Sequence, residues 1–208
     1  ESSYELKHGD ALNIPYKDES FDFVSNNGAL IHLNDMAEII RGFSEGARVC
    51  RKQGYFHTSY ASCGGVMQGV IFPALRQYYK ENTEFREFVD NLNPGILHEA
   101  INKICADTKK HTGETFDSHQ LKSLFGEEFC LFIQNYLQAP TWFSNECTPE
   151  LIEELYRSNG FVDVTRINEF VKRDDIRKYV ASLHYDRDYP LSKLLYGKGY
   201  VEYIGRKG

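Results

Sequence analysis

Residues 21–60 constrain this chain more than any other part, because they read as strand, helix, strand in close succession. Phe21-Asp22-Phe23-Val24-Ser25 has the aromatic and branched residues of a buried strand, and Asn26-Asn27-Gly28 punctuates its end. From about Asn34 to Lys52, Met36, Ile39, Ile40, Phe43, Ala47 and Cys50 recur at three- and four-residue spacing and draw one apolar stripe along a helix. Asn34 or Asp35 supplies the cap, Gly54 ends the helical region, and Tyr55 to Tyr60 reads as strand again. Two strands joined through a helix pair in parallel, since the crossover returns the chain to the end where it began.

The flanking sequence extends this unit. Tyr4 to Asp10 is short and extended, ends at a Gly9 turn, and is expected to add a strand near residues 4–9. Residues 61–147 change to helical periodicity. Pro73 is expected to kink or interrupt a helix over 66–81, and Asn93-Pro94 opens one carrying Ile96, Leu97, Ala100, Ile101, Ile104 and Cys105. Thr148-Pro149-Glu150 opens a helix with Leu151, Ile152, Leu155 and Tyr156 on its apolar face, and Asn159-Gly160 ends it. Strands at 161–167 and 200–204 and a helix over 174–183 complete the reading.

A net charge of −6 offers no basic face for a polyanion, which argues against nucleic acid as the main partner. The five cysteines form no C-x-x-C pair and read as reduced thiols of a cytoplasmic protein; the histidines show no H-x-x-x-H pair, so no zinc site is expected. No apolar run approaches the roughly 20 residues of a membrane span.

Gly9-Asp10-Ala11-Leu12-Asn13-Ile14-Pro15-Tyr16, followed by Ser20-Phe21-Asp22-Phe23-Val24, resembles a signature of small-molecule class I S-adenosylmethionine-dependent methyltransferases, GDA-x-x-LPF and then SFDxV. Ala29-Leu30-Ile31-His32-Leu33 is similar to that family's LHHL-like turn. Arg48-Val49-Cys50-Arg51-Lys52-Gln53-Gly54 is similar to its RVLKPGG helix end. Residues 148–161 look like the helix leading through Gly-Phe into the sixth strand, and Tyr200 to Ile204 like the seventh, which runs antiparallel. The resemblance implies an α/β fold, a Rossmann-like doubly wound sheet of the class I methyltransferase type, present in part and carrying a helical insert. Residues 1–60 would be the middle of the core, 61–147 the insert or lid, and 148–208 the C-terminal part of the core.

The resemblance also implies S-adenosylmethionine as cofactor and a small-molecule methyl acceptor as partner, in a transfer that needs no metal. Asp10 would accept a hydrogen bond from the adenine amino group with Ala11 close by, against the alternative that Asp10 only caps its own loop. Ser25, Asn26 and Asn27 would lie beside the methionine part of the cofactor, against plain turn chemistry. His32 and Tyr60 are candidate catalytic residues, with Ser59 beside them. Trp142 and Phe143 are candidate pocket walls within an aromatic-rich segment that includes Phe72, Tyr78, Phe129, Phe132 and Tyr136. The departures are specific. The Gly-rich loop E/D-x-G-x-G-x-G and the ribose-binding acidic residue are absent, Ile31 replaces a histidine, and Gln53 stands where the family has Pro or Gly. Missing N-terminal sequence is the simplest expectation; the rival is a non-catalytic methyltransferase-like subunit that binds a partner chain.

Overall fold

The computed structural model describes residues 4–60, 64–139, 141, 146–167, 174–185, 189–197 and 201–208. Its centre is a four-stranded sheet of β1 (Phe21–Asn27), β2 (Cys50–Tyr60), β3 (Phe161–Arg166) and β4 (Val201–Lys207), in the order β1-β2-β4-β3. β1 and β2 pair in parallel around α1 (Met36–Val49), as the helical crossover requires. β4 is antiparallel to both β2 and β3, so β3 runs with β1 and β2 and the closing strand alone runs against them. This is the sheet expected for the middle and end of a class I methyltransferase core.

Asp35 is the cap of α1, its carboxylate accepting the Glu38 amide at 2.8 Å. The helix ends at Val49, three residues before the expected Lys52, because Cys50 is already extended and begins β2. Phe21 pairs with Cys50 but Phe23 with Tyr55, so the intervening β2 residues bulge outward. Gln53 in that bulge has φ 62°, a left-handed conformation that favours glycine. A Cβ on Gly54 would stand 2.8 Å from the Asp22 carbonyl oxygen, so the close backbone approach requires that glycine.

α1 and α7 (Pro149–Ser158) cover one face of the sheet. Phe43 and Tyr156 rings meet at 5.0 Å, Phe43 and Phe56 at 5.0 Å, and Tyr156 and Phe161 at 5.3 Å. Two glycines make room for these rings: a Cβ on Gly46 would lie 2.7 Å from Phe56, and one on Gly205 2.8 Å from Tyr156. The other face of β1 is open. Phe23 is 56% exposed, so β1 is buried on one side only and not throughout as its composition suggested.

Two expectations are corrected. Residues 4–9 are not a strand; a single bridge joins Asp10 to Asn13, and Tyr4 and Leu6 are 85% and 87% exposed. β1 is an edge strand whose described pairings are all with β2, and residues 4–9 do not come alongside its other edge; the chain beyond Asp10 runs along α1 instead. Residues 174–183 are not one helix but a 3₁₀ turn (Ile176–Tyr179) capped by Asp175, then α8 (Ala181–Tyr185). The Asp175 carboxylate binds both the amide and the guanidinium of Arg177, which holds the tighter turn.

The segment after β2 is helical, as its periodicity requires. The interruption expected at Pro73 takes the form of a π-helical turn (Met67–Ile71), after which α2 (Phe72–Glu81) begins with proline in its first turn. Proline lacks the amide that would continue the regular bonding, and the wider turn absorbs the mismatch. α3 (Thr83–Asp90), α4 (Pro94–Thr112), α5 (Ser118–Ser123) and α6 (Glu127–Gln138) follow, with Asn93 capping α4. α9 (Pro190–Tyr196) precedes β4. Among the described residues no helix is long and apolar enough to cross a membrane.

Candidate functional site

The C-terminal ends of parallel strands are where open α/β sheets bind ligands, and here those ends are Asn27 and Tyr60. Asn26 Oδ1 accepts the amides of Ala29 at 3.2 Å and Leu30 at 3.3 Å, which folds the chain into the 3₁₀ turn Leu30–His32. Its Nδ2 is buried and faces the Tyr60 hydroxyl without a well-formed hydrogen bond, leaving both groups unsatisfied. Tyr60 is fully buried. Burial, with the Cys147 thiol beside it, pushes its phenol well above the ordinary range. Burial therefore favours the neutral phenol at Tyr60.

Asp10 and Ala11 sit in a turn in which Asp10 Oδ1 accepts the Leu12 amide at 2.8 Å. Asp10 thus caps its own loop while remaining exposed. The loop then descends α1. A Cβ on Gly42 would touch Leu12, Leu30 and Leu33 together, so the Asp10 turn and the turn after β1 meet over that glycine. Further along, Glu45 Oε2 accepts the Ile14 amide at 3.0 Å, and Arg48 donates to the carbonyls of Ile14 and Tyr16. Since α1 runs against the strands, this descent leaves Asp10 on the side of their C-terminal ends.

The Arg48 guanidinium holds the Glu45 carboxyl below its ordinary pKa, aided by the Ile14 amide and opposed by partial burial. A depressed folded pKa means that the contribution is present above the ordinary glutamate value of about 4.3 and is lost as pH falls through the folded value. The protection factor of the Ile14 amide, its exchange rate relative to that of an unstructured amide at the same pH, should therefore fall at acid pH before the sheet melts, as followed by NMR, and Glu45→Gln should flatten that dependence. Protection of Ile14 that stays constant down to global unfolding would refute the anchor.

On the open face of the sheet lies a polar chain that sequence reasoning missed. Ser25 Oγ meets His57 Nδ1 at 2.9 Å, and His57 Nε2 meets Glu202 Oε1 at 2.7 Å. An ionised Glu202 can only accept, so His57 carries its proton on Nε2 and, when neutral, accepts from the Ser25 hydroxyl on Nδ1. A base is thereby oriented behind a serine hydroxyl at the end of β1. Ser59 donates to Asn27 Oδ1 at 2.6 Å on the same face. The signal for His57 was its parity with Tyr55 and Ser59 along one strand, whereas Glu202 becomes a neighbour only through the register of β2 with β4.

His32 is tied elsewhere. Its Nδ1 donates to the Thr141 carbonyl at 2.9 Å, and Thr141 Oγ1 donates back to the Leu33 carbonyl at 2.7 Å. These bonds fasten the end of the helical segment to the turn after β1. The segment is also held through Ile176, whose amide donates to the Leu124 carbonyl, and through Arg177 stacked over Phe132 at 4.6 Å. Phe72, Phe132 and Tyr136 pack on one another between α2 and α6, so these rings are the segment's own core. Trp142 and Phe143 lie outside the described residues. A cleft of about 350 Å³ beside Glu153, Arg157, Asp163 and Arg166 follows β3, at the sheet edge remote from β1.

The first 58 residues match the model of the family described as methyltransferase domain, which takes in the Asp10 turn, β1, α1 and most of β2. That match covers 58 of the 208 residues. With the strands beyond the matched residues included, the order is β1-β2-β4-β3, with the last strand in sequence reversed between its neighbours, as the resemblance led one to expect. No curated protein matches the chain. Among solved structures it is similar to a possible exported protein from Bordetella parapertussis, at 13% identity and TM-score 0.42, covering 96% of this chain and 42% of that one. It is also similar to a methyltransferase from Thermotoga maritima described as a possible histamine N-methyltransferase, at 18% identity and TM-score 0.39, covering 96% and 62%. A third likeness is to a methyltransferase from Archaeoglobus fulgidus, at 12% identity and TM-score 0.45, covering 98% and 68%. The chain spans 42% and 62% of the first two of these proteins.

Proposed function

We propose that this chain carries part of a site that transfers a methyl group from S-adenosylmethionine to a small-molecule acceptor. The observation that carries the reading is the meeting of the Asp10 turn and the turn after β1 over Gly42, at the ligand-binding end of a methyltransferase-type sheet. The residues present suit two ends of the cofactor. Asp10 offers an exposed carboxylate held by its own turn, fit for the adenine amino group. Asn26 Nδ2 is a buried donor with no partner, fit for an oxygen of the methionine part. When bound, the cofactor supplies a methyl group made electrophilic by its sulfonium.

The protein's share is orientation and proton handling. The turn Asn26–Leu33, fixed by its capping amide bonds, positions the acceptor side. Tyr60 offers a neutral hydroxyl. Ser25, His57 and Glu202 lie on the opposite face of the sheet from Asn26 and Tyr60, so they act as a proton relay only for an acceptor that reaches round the end of β1. The helical segment fastened at Thr141 serves as the lid that excludes water and selects the acceptor. The net charge of −6 favours a small molecule over nucleic acid as acceptor, and the free thiols Cys50, Cys105 and Cys130 suit a reducing cytoplasm. In a protein that joins this chain to a Gly-rich strand-loop-helix segment, calorimetric titration of S-adenosylmethionine should give saturable heat that S-adenosylhomocysteine competes away, with residues 1–208 alone binding far more weakly; absence of binding in the joined protein would end this reading.

A further inference from the structure

Two buried polar groups just beyond the C-terminal end of β2 have no hydrogen-bond partner among the described residues. Gln68, in the π-helical turn Met67–Ile71, is 2% exposed, and its Oε1 meets no donor. Ser192, on α9, is 3% exposed, and its Oγ is likewise unsatisfied. The two elements pack together at a crossing where backbones touch: a Cβ on Gly65 would stand 2.3 Å from the Gly197 amide nitrogen and 2.7 Å from the Leu195 carbonyl oxygen. Gln68 and Ser192 each stand about one helical turn from that crossing along their own element. Buried polar groups are nearly always paired, because leaving one unpaired destabilises the fold. Two of them on contacting elements, one in a helical form that recurs at functional sites, are groups held ready for a ligand.

We infer that Gln68 Oε1 and Ser192 Oγ form the polar part of the acceptor-binding roof and recognise an uncharged N–H or O–H group on the methyl acceptor. The inference rests on the proposed site and adds the chemical class it takes. Gln68 Oε1 can only accept, so it calls for a donor on the ligand. An ammonium donor is disfavoured because neither Met67–Ile71 nor Pro190–Tyr196 carries a carboxylate, and Lys193 adds positive charge. A carboxylate ligand would set oxygen against the Gln68 oxygen. What remains is an alcohol, phenol or amide.

The test uses the full chain with Gln68→Leu and Ser192→Ala variants, and benzamide, benzyl alcohol, benzylammonium and benzoate as probes. Without any probe each variant should unfold about 2–4 °C higher than the parent, since each loses an unpaired buried group. A lower unfolding temperature would mean that the group was partnered and would overturn the inference. By ligand-detected NMR, benzamide and benzyl alcohol should bind the parent and shift the Gln68 side-chain amide signal, with affinity falling roughly tenfold or more in Gln68→Leu. Equal binding of the charged probes, or unchanged benzamide binding in Gln68→Leu, would also overturn it. S-adenosylmethionine titrated into the joined protein separates the two readings. Gln68-dependent benzamide binding without cofactor binding would keep the roof site and remove the methyl-transfer reading. Cofactor binding without a Gln68-dependent probe site would do the reverse.

Discussion

Replacing Tyr156 by alanine is expected to destabilise the protein by about 3–5 kcal/mol, the range for deleting a buried aromatic ring. The ring lies among Phe43, Phe56 and Phe161, fully buried, where α1, α7 and the sheet meet. Its hydroxyl lies 3.0 Å from the Phe56 carbonyl and 3.1 Å from the Tyr203 carbonyl, on adjacent strands, and 3.1 Å from Thr58 Oγ1. Tyr156→Phe keeps the packing and leaves the fully buried Thr58 hydroxyl without this partner, so it should cost about 1–3 kcal/mol. Urea denaturation of both variants gives the two figures. Domains of this kind have only about 5–15 kcal/mol in hand, so the alanine variant should be unfolded or nearly so at 37 °C. A Tyr156→Ala protein within about 1 kcal/mol of the parent would mean that this cluster is not the core.

The same residue shows what the sequence made legible. Leu151, Ile152, Leu155 and Tyr156 fall at helical spacing, and Gly160 with φ 77° closes the helix, so α7 and its apolar face follow from local pattern alone. The crossover of β1, α1 and β2 is legible for the same reason. Residues 4–9 were not, because an extended, apolar-tinged segment becomes a strand only where it comes alongside a neighbour's backbone edge, and that is a property of the assembled sheet. The break at residues 174–183 was hidden too: Asp175 can cap a 3₁₀ turn or a helix, and which one forms depends on Arg177 reaching back to it and on Leu124 receiving the Ile176 amide. In the site, the turn residues Asn26 and Asn27 and the strand end at Tyr60 were legible as a group. Ser25 was legible, but its partners His57 and Glu202 depend on pairing between distant strands. Gln68 and Ser192 carry no sequence signal, since a polar residue on an amphipathic helix reads as its solvated face until packing buries it.

The largest functional effect is expected at Asp10, where Asp10→Ala in the protein joined to the Gly-rich segment should weaken S-adenosylmethionine binding roughly ten- to hundredfold, the equivalent of about 1.5–3 kcal/mol for a hydrogen bond to a charged acceptor. Alanine alone does not isolate the cause, because Asp10 Oδ1 also accepts the Leu12 amide and its loss frees the loop that meets the β1 turn over Gly42. Asp10→Asn separates the two. Asparagine keeps an oxygen for the Leu12 amide and so preserves the turn, while removing the charge that the adenine amino group would meet. If Asp10 binds the cofactor, calorimetry should show Asp10→Asn weakened nearly as far as Asp10→Ala, with amide exchange at Leu12 and Ile14 unchanged in the asparagine variant. If Asp10 only shapes its loop, Asp10→Asn should bind as the parent does and only Asp10→Ala should lose affinity. That second result would withdraw the adenine contact and leave the turn after β1 as the one cofactor-facing element of this chain.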